Sequence, residues 1–282
     1  MVIASALGAG TVINAIATLK GSAFGINLKT CAEVAVIDRG IKCQIAGNTT
    51  ADTSLITECA RLVLERFAPD VGVSVTTTSE IPIASGLKSS SAAANATVLG
   101  LIKALEIDMQ PLDIVKLGVV AARRAGVTIT GAFDDACASF FGGLVITDNE
   151  RDVLLKRVEL DTPVLIFVPH TKSYSAKANV TRAKLLAPWV DVAYRLVRAG
   201  EYEKAMVLNG LIYCSAFNFS TKPMIFALEA GARAATLSGT GPAYIALVDT
   251  SSSKAVKKAW ESLDGLVIES ETSNMGAQIE AL

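Results

Sequence analysis

The stretch PIASGLKSSSAAANA, Pro82–Ala96, constrains this chain more than any other. Before it, VGVSVTTTS alternates Val71, Val73 and Val75 with small or polar residues, which predicts a half-buried strand. Pro82 cannot extend a strand interior, and Gly86 supplies a turn. Ser89, Ser90 and Ser91 then fall on the first turn of an alanine-rich helix running to about Leu105. The first four amides of a helix lack internal partners, and the macrodipole adds partial positive charge there. Free amides beside hydroxyls make an anion site, and hydroxyls also suit the oxygen shell of Mg²⁺. A plain helix cap would need only one of the three serines.

The rest of the chain supplies alternating strands and helices. Of 282 residues, 51% are hydrophobic but only 6% aromatic, so the core is built from Ala, Val, Ile and Leu. Thr11–Ala17 reads as strand or loop after a glycine-rich opening, and Cys31–Gly40 as a strand. Leu55, Cys59, Leu62, Val63 and Phe67 mark an amphipathic helix. A helix beginning at Pro111 and Asp113 ends at Gly126, and GGLVITDN is a strand closed by a turn. The charged stretch Glu150–Asp161 is the expected linker. Beyond it come a strand in PVLIFVP, helices over Ala178–Ala199 and Tyr202–Ala216, and a helix end at Gly231. ATLSGTGPAYIALV reads strand, glycine turn, strand, followed by a helix near Ser253–Leu263 and a last strand near Leu266–Glu271. This pattern is an α+β chain of two domains.

Several function classes are excluded. A net charge of −1 without a basic stripe argues against nucleic acid as the partner. Five scattered cysteines without C-x-x-C, and His170 as the single histidine, argue against disulfides, a zinc site and a Ser-His-Asp triad. Met1–Ala23 lacks a basic start and is interrupted by Gly8 and Gly10, unlike a signal peptide. Lys103 and Lys116 interrupt the best membrane candidates, so a cytoplasmic protein is expected. LGAGTVINA carries Ile13 where a dinucleotide fingerprint needs a small residue, and no Walker A sequence occurs.

Three motifs in order carry a resemblance. PIASGLKSSSAAANA resembles the central motif of the GHMP kinases, P-x-x-x-G-L-x-S-S-[AS]-A. LSGTGPAYIAL, Leu237–Leu247, resembles their C-terminal glycine loop, and GAFDDACASFFGG, Gly131–Gly143, resembles the segment with their catalytic aspartate. GTVINAIATLKGSAFGI and RRAGVTITGAFDDACASFFGG are similar in particular to the archaeal-type shikimate kinases within that superfamily. The resemblance implies an N-terminal domain like ribosomal protein S5 domain 2 over residues 1–155 and a ferredoxin-like C-terminal domain over 156–282. It further implies ATP, Mg²⁺ and a small-molecule acceptor, shikimate, phosphorylated at its 3-hydroxyl. Homoserine as acceptor, and a silent kinase-fold sensor, are the alternatives.

By the same resemblance, Pro82, Gly86, Leu87, Lys88, Ser89, Ser90, Ser91 and Ala92 cradle the nucleotide together with Gly239 and Gly241. Ser90 is the metal ligand, joined by Asp134. Asp135, followed by Asp134, is the candidate catalytic base. Apolar Ala136, Ala138, Phe140 and Phe141 around the pair predict burial, which is costly for adjacent carboxylates without a cation. Lys88 stands where the family commonly has glycine, and either reaches a phosphate or is solvated. Arg123 and Arg124 lie roughly where several members carry a metal-binding glutamate, and guanidinium there suits an anionic acceptor, with a surface role for one of the two as the competing reading. Thr11, Asn14 and Lys20 are substrate-side candidates by position.

Overall fold

The chain opens in a strand that its glycines do not interrupt. In the computed structural model, which describes residues 1–48, 50–128, 131–170 and 179–281, β1 (Val2–Ile13) runs straight through Gly8 and Gly10. Gly10 is small because a Cβ there would lie 2.5 Å from Phe24 Cζ and 2.6 Å from Ile245 Cδ1. Of Thr11–Ala17, expected as strand or loop, Thr11–Ile13 completes β1 and the rest forms the turn into β2 (Lys20–Ile37).

β2 is long enough to change partners. Beyond its antiparallel pairing with β1, Thr30–Ile37 pairs with β4 (Gly72–Ser79), whose outer neighbour is the parallel β3 (Ile41–Ile45). Its first residues, Lys20–Phe24, pair with β5 (Leu144–Asp148) instead. α1 (Ser54–Phe67) lies between β3 and β4 in sequence. α2 (Ser89–Ala104) and α4 (Phe133–Phe141) pack on β1 and β2, while α3 (Pro111–Arg124) packs on α1, α2 and α4. Burial on nearly every side of α2 explains its alanine content, and Gly100 admits Val34 of β2, whose Cγ2 would be 2.8 Å from a Cβ.

The charged stretch Glu150–Asp161 is not a linker. It holds β6 (Val153–Val158), which pairs with β5, leaves Lys156 in solvent and ties Arg157 to the carbonyls of Phe141, Gly142 and Asn274. The first sheet therefore continues past residue 155, and a division at 155/156 cuts a strand. β7 (Pro163–Pro169) starts the second sheet. The helices α5 (Val180–Leu185) and α6 (Ala187–Arg198) are two because Pro188 restarts the helix after Leu186. Ala178, which the sequence placed in that helix, lies outside the described residues.

α7 (Tyr202–Phe217) and α8 (Lys222–Glu229) follow, then β8 (Ala234–Leu237), β9 (Tyr244–Leu247), α9 (Thr250–Glu261) and β10 (Gly265–Glu271). The second sheet is antiparallel in the order β10-β7-β9-β8. Trp260 of α9 fills its core fully buried, with Nε1 donating to the Pro223 carbonyl at 2.8 Å. The chain then returns. β11 (Gln278–Glu280) pairs antiparallel with β1, so the last residues complete the first sheet rather than the second.

A cavity between two helix starts

The turn after β1, the loop before α2, the start of α4 and the β8–β9 loop enclose a cavity of about 420 Å³. Asn14, Lys88, the three serines, Asp134, Asp135 and Gly239 all line it. Its two principal walls are helix N-termini.

At the first wall, Lys88 is the N-cap of α2 in a left-handed conformation, φ 67° and ψ 31°. That geometry explains why glycine suits the position, and a lysine there costs about 1 kcal/mol. No side chain caps the helix, so the amides of its first turn point toward the cavity with the hydroxyls of Ser89, Ser90 and Ser91 around them. The Lys88 side chain is not solvated, contrary to one of the two sequence expectations. It is 9% exposed, and its Nζ lies 2.9 Å from Asp135 Oδ1.

The β8–β9 loop closes this wall. Gly86, at φ +86°, would bring a Cβ to 2.2 Å from the Ser238 carbonyl oxygen, so only glycine permits the approach. Ser238 Oγ donates to the Gly86 carbonyl at 2.9 Å, and the Ala243 amide donates to the Ser85 carbonyl at 2.9 Å. On the other side the Gly239 amide donates to Thr11 Oγ1 at 2.9 Å, and Asn14 Nδ2 donates to the Gly239 carbonyl at 2.8 Å. Gly239 and Thr240 thus face the cavity on a loop fastened to both β1 and the α2 loop.

The second wall repeats the left-handed entry. Ala132, φ 48° and ψ 45°, is the N-cap of α4, and Asp134 and Asp135 occupy its first turn. Carboxylates there complement the helix dipole. Their environments differ. Asp135 Oδ1 is buried without a hydrogen bond, and Lys88 Nζ is its charge partner. Asp134 is 4% exposed and accepts from Asn149 Nδ2 at 2.7 Å. Burial, and then the Asp135 charge, push its carboxyl well above the ordinary carboxylate range, against the Lys88 charge and the Asn149 hydrogen bond. Gly21 makes room for it, since a Cβ there would sit 2.5 Å from Asp134 Cγ.

The sequence candidates separate into those at the cavity and those that serve it from behind. Gly86, Lys88, Ser89, Ser90, Ser91, Asn14, Gly239, Asp134 and Asp135 line it. Leu87 and Ala92 are buried core, and Pro82 and Gly241 shape the loops without lining the cavity. Thr11 is buried and spends its hydroxyl on Gly239, so it is a loop fastener rather than a substrate contact. Lys20 pairs with Asp191 at 2.8 Å, with both side chains nearly half exposed.

The arginines also lie elsewhere. Arg123 forms a two-pronged pair with Asp152 at 2.9 and 3.0 Å, and Arg124 reaches Glu58 at 3.4 Å. Their helix presents Gly118, Val119 and Ala122 to the cavity instead. Helical spacing gives part of the reason. Positions 118 and 122 lie one turn apart and 124 falls on the opposite side, whereas Arg123, one turn from Val119, is engaged by Asp152 and packs against Gly131 at the cavity's edge. Asn95, one turn after Ser91, is a lining residue that the sequence reading left unassigned; its Nδ2 donates to the Ala136 carbonyl at 2.9 Å. Its polarity within an alanine run was the available signal.

Comparison with known proteins agrees with this architecture. Family models described as the GHMP kinases N terminal domain and GHMP kinases C terminal match residues 54–143 and 225–264. A shikimate kinase from Methanosarcina acetivorans is 55% identical over 278 residues, covering 97% of this chain and 95% of its own. Another, from Methanothermobacter thermautotrophicus, is 47% identical and covers 96% of each chain. Among solved structures, a homoserine kinase from Cytophaga hutchinsonii superposes with TM-score 0.75 at 18% identity, covering 99% of this chain and 97% of its own. Methanococcus jannaschii mevalonate kinase gives 0.75 at 16% identity, covering 96% and 98%. These two likenesses are of fold. The identities to the archaeal proteins reach further: the chain belongs to the GHMP kinases, in the group whose archaeal members bear the name shikimate kinase.

Proposed function

We propose that this chain transfers the γ-phosphoryl group of ATP to the 3-hydroxyl of shikimate, giving shikimate 3-phosphate and ADP. One observation carries the reading. An uncapped helix start lined with serines and a buried aspartate pair face each other across one cavity. Such a cavity offers both halves of phosphoryl transfer, an anion cradle and a proton acceptor. The archaeal relatives' name supports shikimate as the acceptor.

The first-turn amides of α2, the serine hydroxyls and Gly239 receive the phosphates. Lys88 Nζ stands among Asp135, Gly239 and α2, where its charge offsets that of a phosphate chain. The donors fit Mg²⁺: hydroxyls and a carboxylate are hard oxygen ligands, and Asp135 Oδ1 is buried without a hydrogen bond. Ser90 and Asp135 would hold the ion, which when bound neutralises phosphate charge.

Asp134 is the base in this proposal, and Asp135 serves the phosphate side. The sequence ranked them the other way. Lys88 draws Asp135 toward α2, whereas Asp134, which also lines the cavity, packs its carboxyl against Gly21 of β2 with raised proton affinity. A carboxylate with that affinity accepts the hydroxyl proton as the acceptor oxygen bonds to the γ-phosphorus and the bond to the ADP oxygen breaks. The test is ADP release with Mg-ATP and, separately, shikimate, homoserine, mevalonate or galactose. Shikimate-dependent turnover supports the reading. Turnover with another alcohol alone discards the acceptor, and none at all discards the kinase.

A further inference from the structure

Asp134 is gripped from behind the cavity by a side chain that does not line it. Asn149, which follows β5 and is 2% exposed, donates from Nδ2 to Asp134 Oδ1 at 2.7 Å. A side-chain amide is nearly symmetrical in shape, and the reversed amide would set an oxygen against a carboxylate oxygen. Asp134 settles that choice, because a carboxylate only accepts and so takes the NH₂, while Thr147 receives the other end: its Oγ1, which also faces the Gly21 carbonyl at 3.3 Å, donates to Asn149 Oδ1 at 2.6 Å.

The lock is itself held. Thr147 is fully buried, and Tyr194 of α6 donates its hydroxyl to the Thr147 carbonyl at 3.3 Å. The Asn149 amide N–H donates to the Leu19 carbonyl at 2.8 Å, fixing the turn against the segment that leads into β2. Gly21, two residues on, leaves the space that Asp134 fills. The arrangement is a carboxylate at a cavity wall, oriented by an amide, oriented in turn by a hydroxyl. A turn needs only the backbone hydrogen bond. The buried side-chain relay goes beyond that.

We propose that Asn149 is the positioning residue of the phosphoryl transfer: locked by Thr147, it holds the Asp134 carboxylate in the orientation that meets the acceptor hydroxyl. This rests on reading Asp134 as the base. Outer partners that orient a reacting group are worth about 10- to 100-fold in activity.

The test uses the full chain carrying Asn149→Asp, Thr147→Val or Thr147→Ser. Asn149→Asp keeps the shape and replaces the donor, and Thr147→Val keeps the shape and removes the hydroxyl that holds the amide oxygen. Each is expected to lower kcat by about 10- to 100-fold while KM for ATP stays within about twofold. Thr147→Ser, which retains the hydroxyl, restores most of kcat. In an Asp134→Asn background, Thr147→Val costs nothing further. A second readout needs no turnover: the Asn149 side-chain amide resonance moves on Asp134→Asn and on Thr147→Val and stays in place on Asp135→Asn.

The proposal is overturned if Thr147→Val keeps wild-type kcat, or if its cost persists without Asp134. Parallel losses in kcat, ATP affinity and melting temperature would equally reduce Asn149 to a structural turn. An unmoved amide signal in an enzyme that turns over sinks the Asn149 assignment alone. Absence of turnover in the unmodified protein, with the amide signal behaving as expected, sinks the phosphoryl-transfer reading and Asn149's role in it while leaving the relay intact.

Discussion

The N-termini of α2 and α4 are built alike and charged oppositely. Both begin after a non-glycine residue in the left-handed region, Lys88 and Ala132, and neither has a side-chain cap hydrogen bond. α2 then places three hydroxyls and a lysine around its first amides, whereas α4 fills its first turn with two carboxylates. In the proposed function, the same backbone device gives an anion receptor on one wall and a proton acceptor on the other. The Lys88–Asp135 pair joins the two walls, so neither charge is left alone in a confined cavity.

The comparison breaks most sharply at Asp134. Asp134→Asn keeps shape and hydrogen bonding but removes the proposed base, and kcat is expected to fall by about 10²- to 10⁴-fold in an ADP-release assay. Next in size is Gly86→Ala. Its Cβ would meet the Ser238 carbonyl at 2.2 Å, and φ +86° adds strain, so the fastened loops must separate. A stability loss of at least about 2 kcal/mol in urea unfolding is expected, with weakened ATP binding.

Lys88→Met removes the bond between the walls and leaves the buried Asp135 Oδ1 without its charge partner. A loss of about 1–3 kcal/mol and a weaker affinity for ATP are expected from unfolding and titration calorimetry. The pH dependence of stability sharpens the contrast between the two aspartates. Because the folded protein holds the Asp134 proton more tightly than the unfolded chain, this group's penalty is absent below its ordinary value of 3.8. The penalty grows as pH rises from there and is complete above the raised native value. Asp134→Asn abolishes that decline, so its stability relative to wild type rises between about pH 4 and about pH 8. The smallest effect belongs to Arg124→Ala, outside both walls. Stability within about 0.5 kcal/mol and unchanged turnover are expected, and a rise in KM for shikimate would return Arg124 to the acceptor site.

What was legible in the sequence was what the backbone demands locally. Gly86 and the serine run announce a turn into a helix start, and Asp134-Asp135 amid apolar residues announces buried charge. The S-G-T-G-P loop was legible for the same reason. Contacts across the fold were not. Lys88 meets Asp135 only because two helices converge, and Thr11 and Asn14 are engaged by Gly239, which is more than 200 residues distant along the chain. Asn149 looked like the end of a strand because its partner, Asp134, belongs to another element. β11 was missed because three residues carry too little periodicity to read, and β6 because its exposed charges resembled a linker. Helical phase turns Arg124 away from the face that 118 and 122 hold toward the cavity, and Arg123 is engaged by Asp152, a partner on another element.

The division of labour between the two helix starts is tested most directly by titrating Mg-ATP into Ser90→Ala and Asp134→Asn in a calorimeter. The account predicts that Asp134→Asn binds nucleotide like the unmodified chain although it does not turn over, while Ser90→Ala loses affinity about 10-fold or more, near 1.4 kcal/mol. Equal losses of affinity in both, or loss in Asp134→Asn alone, would contradict it.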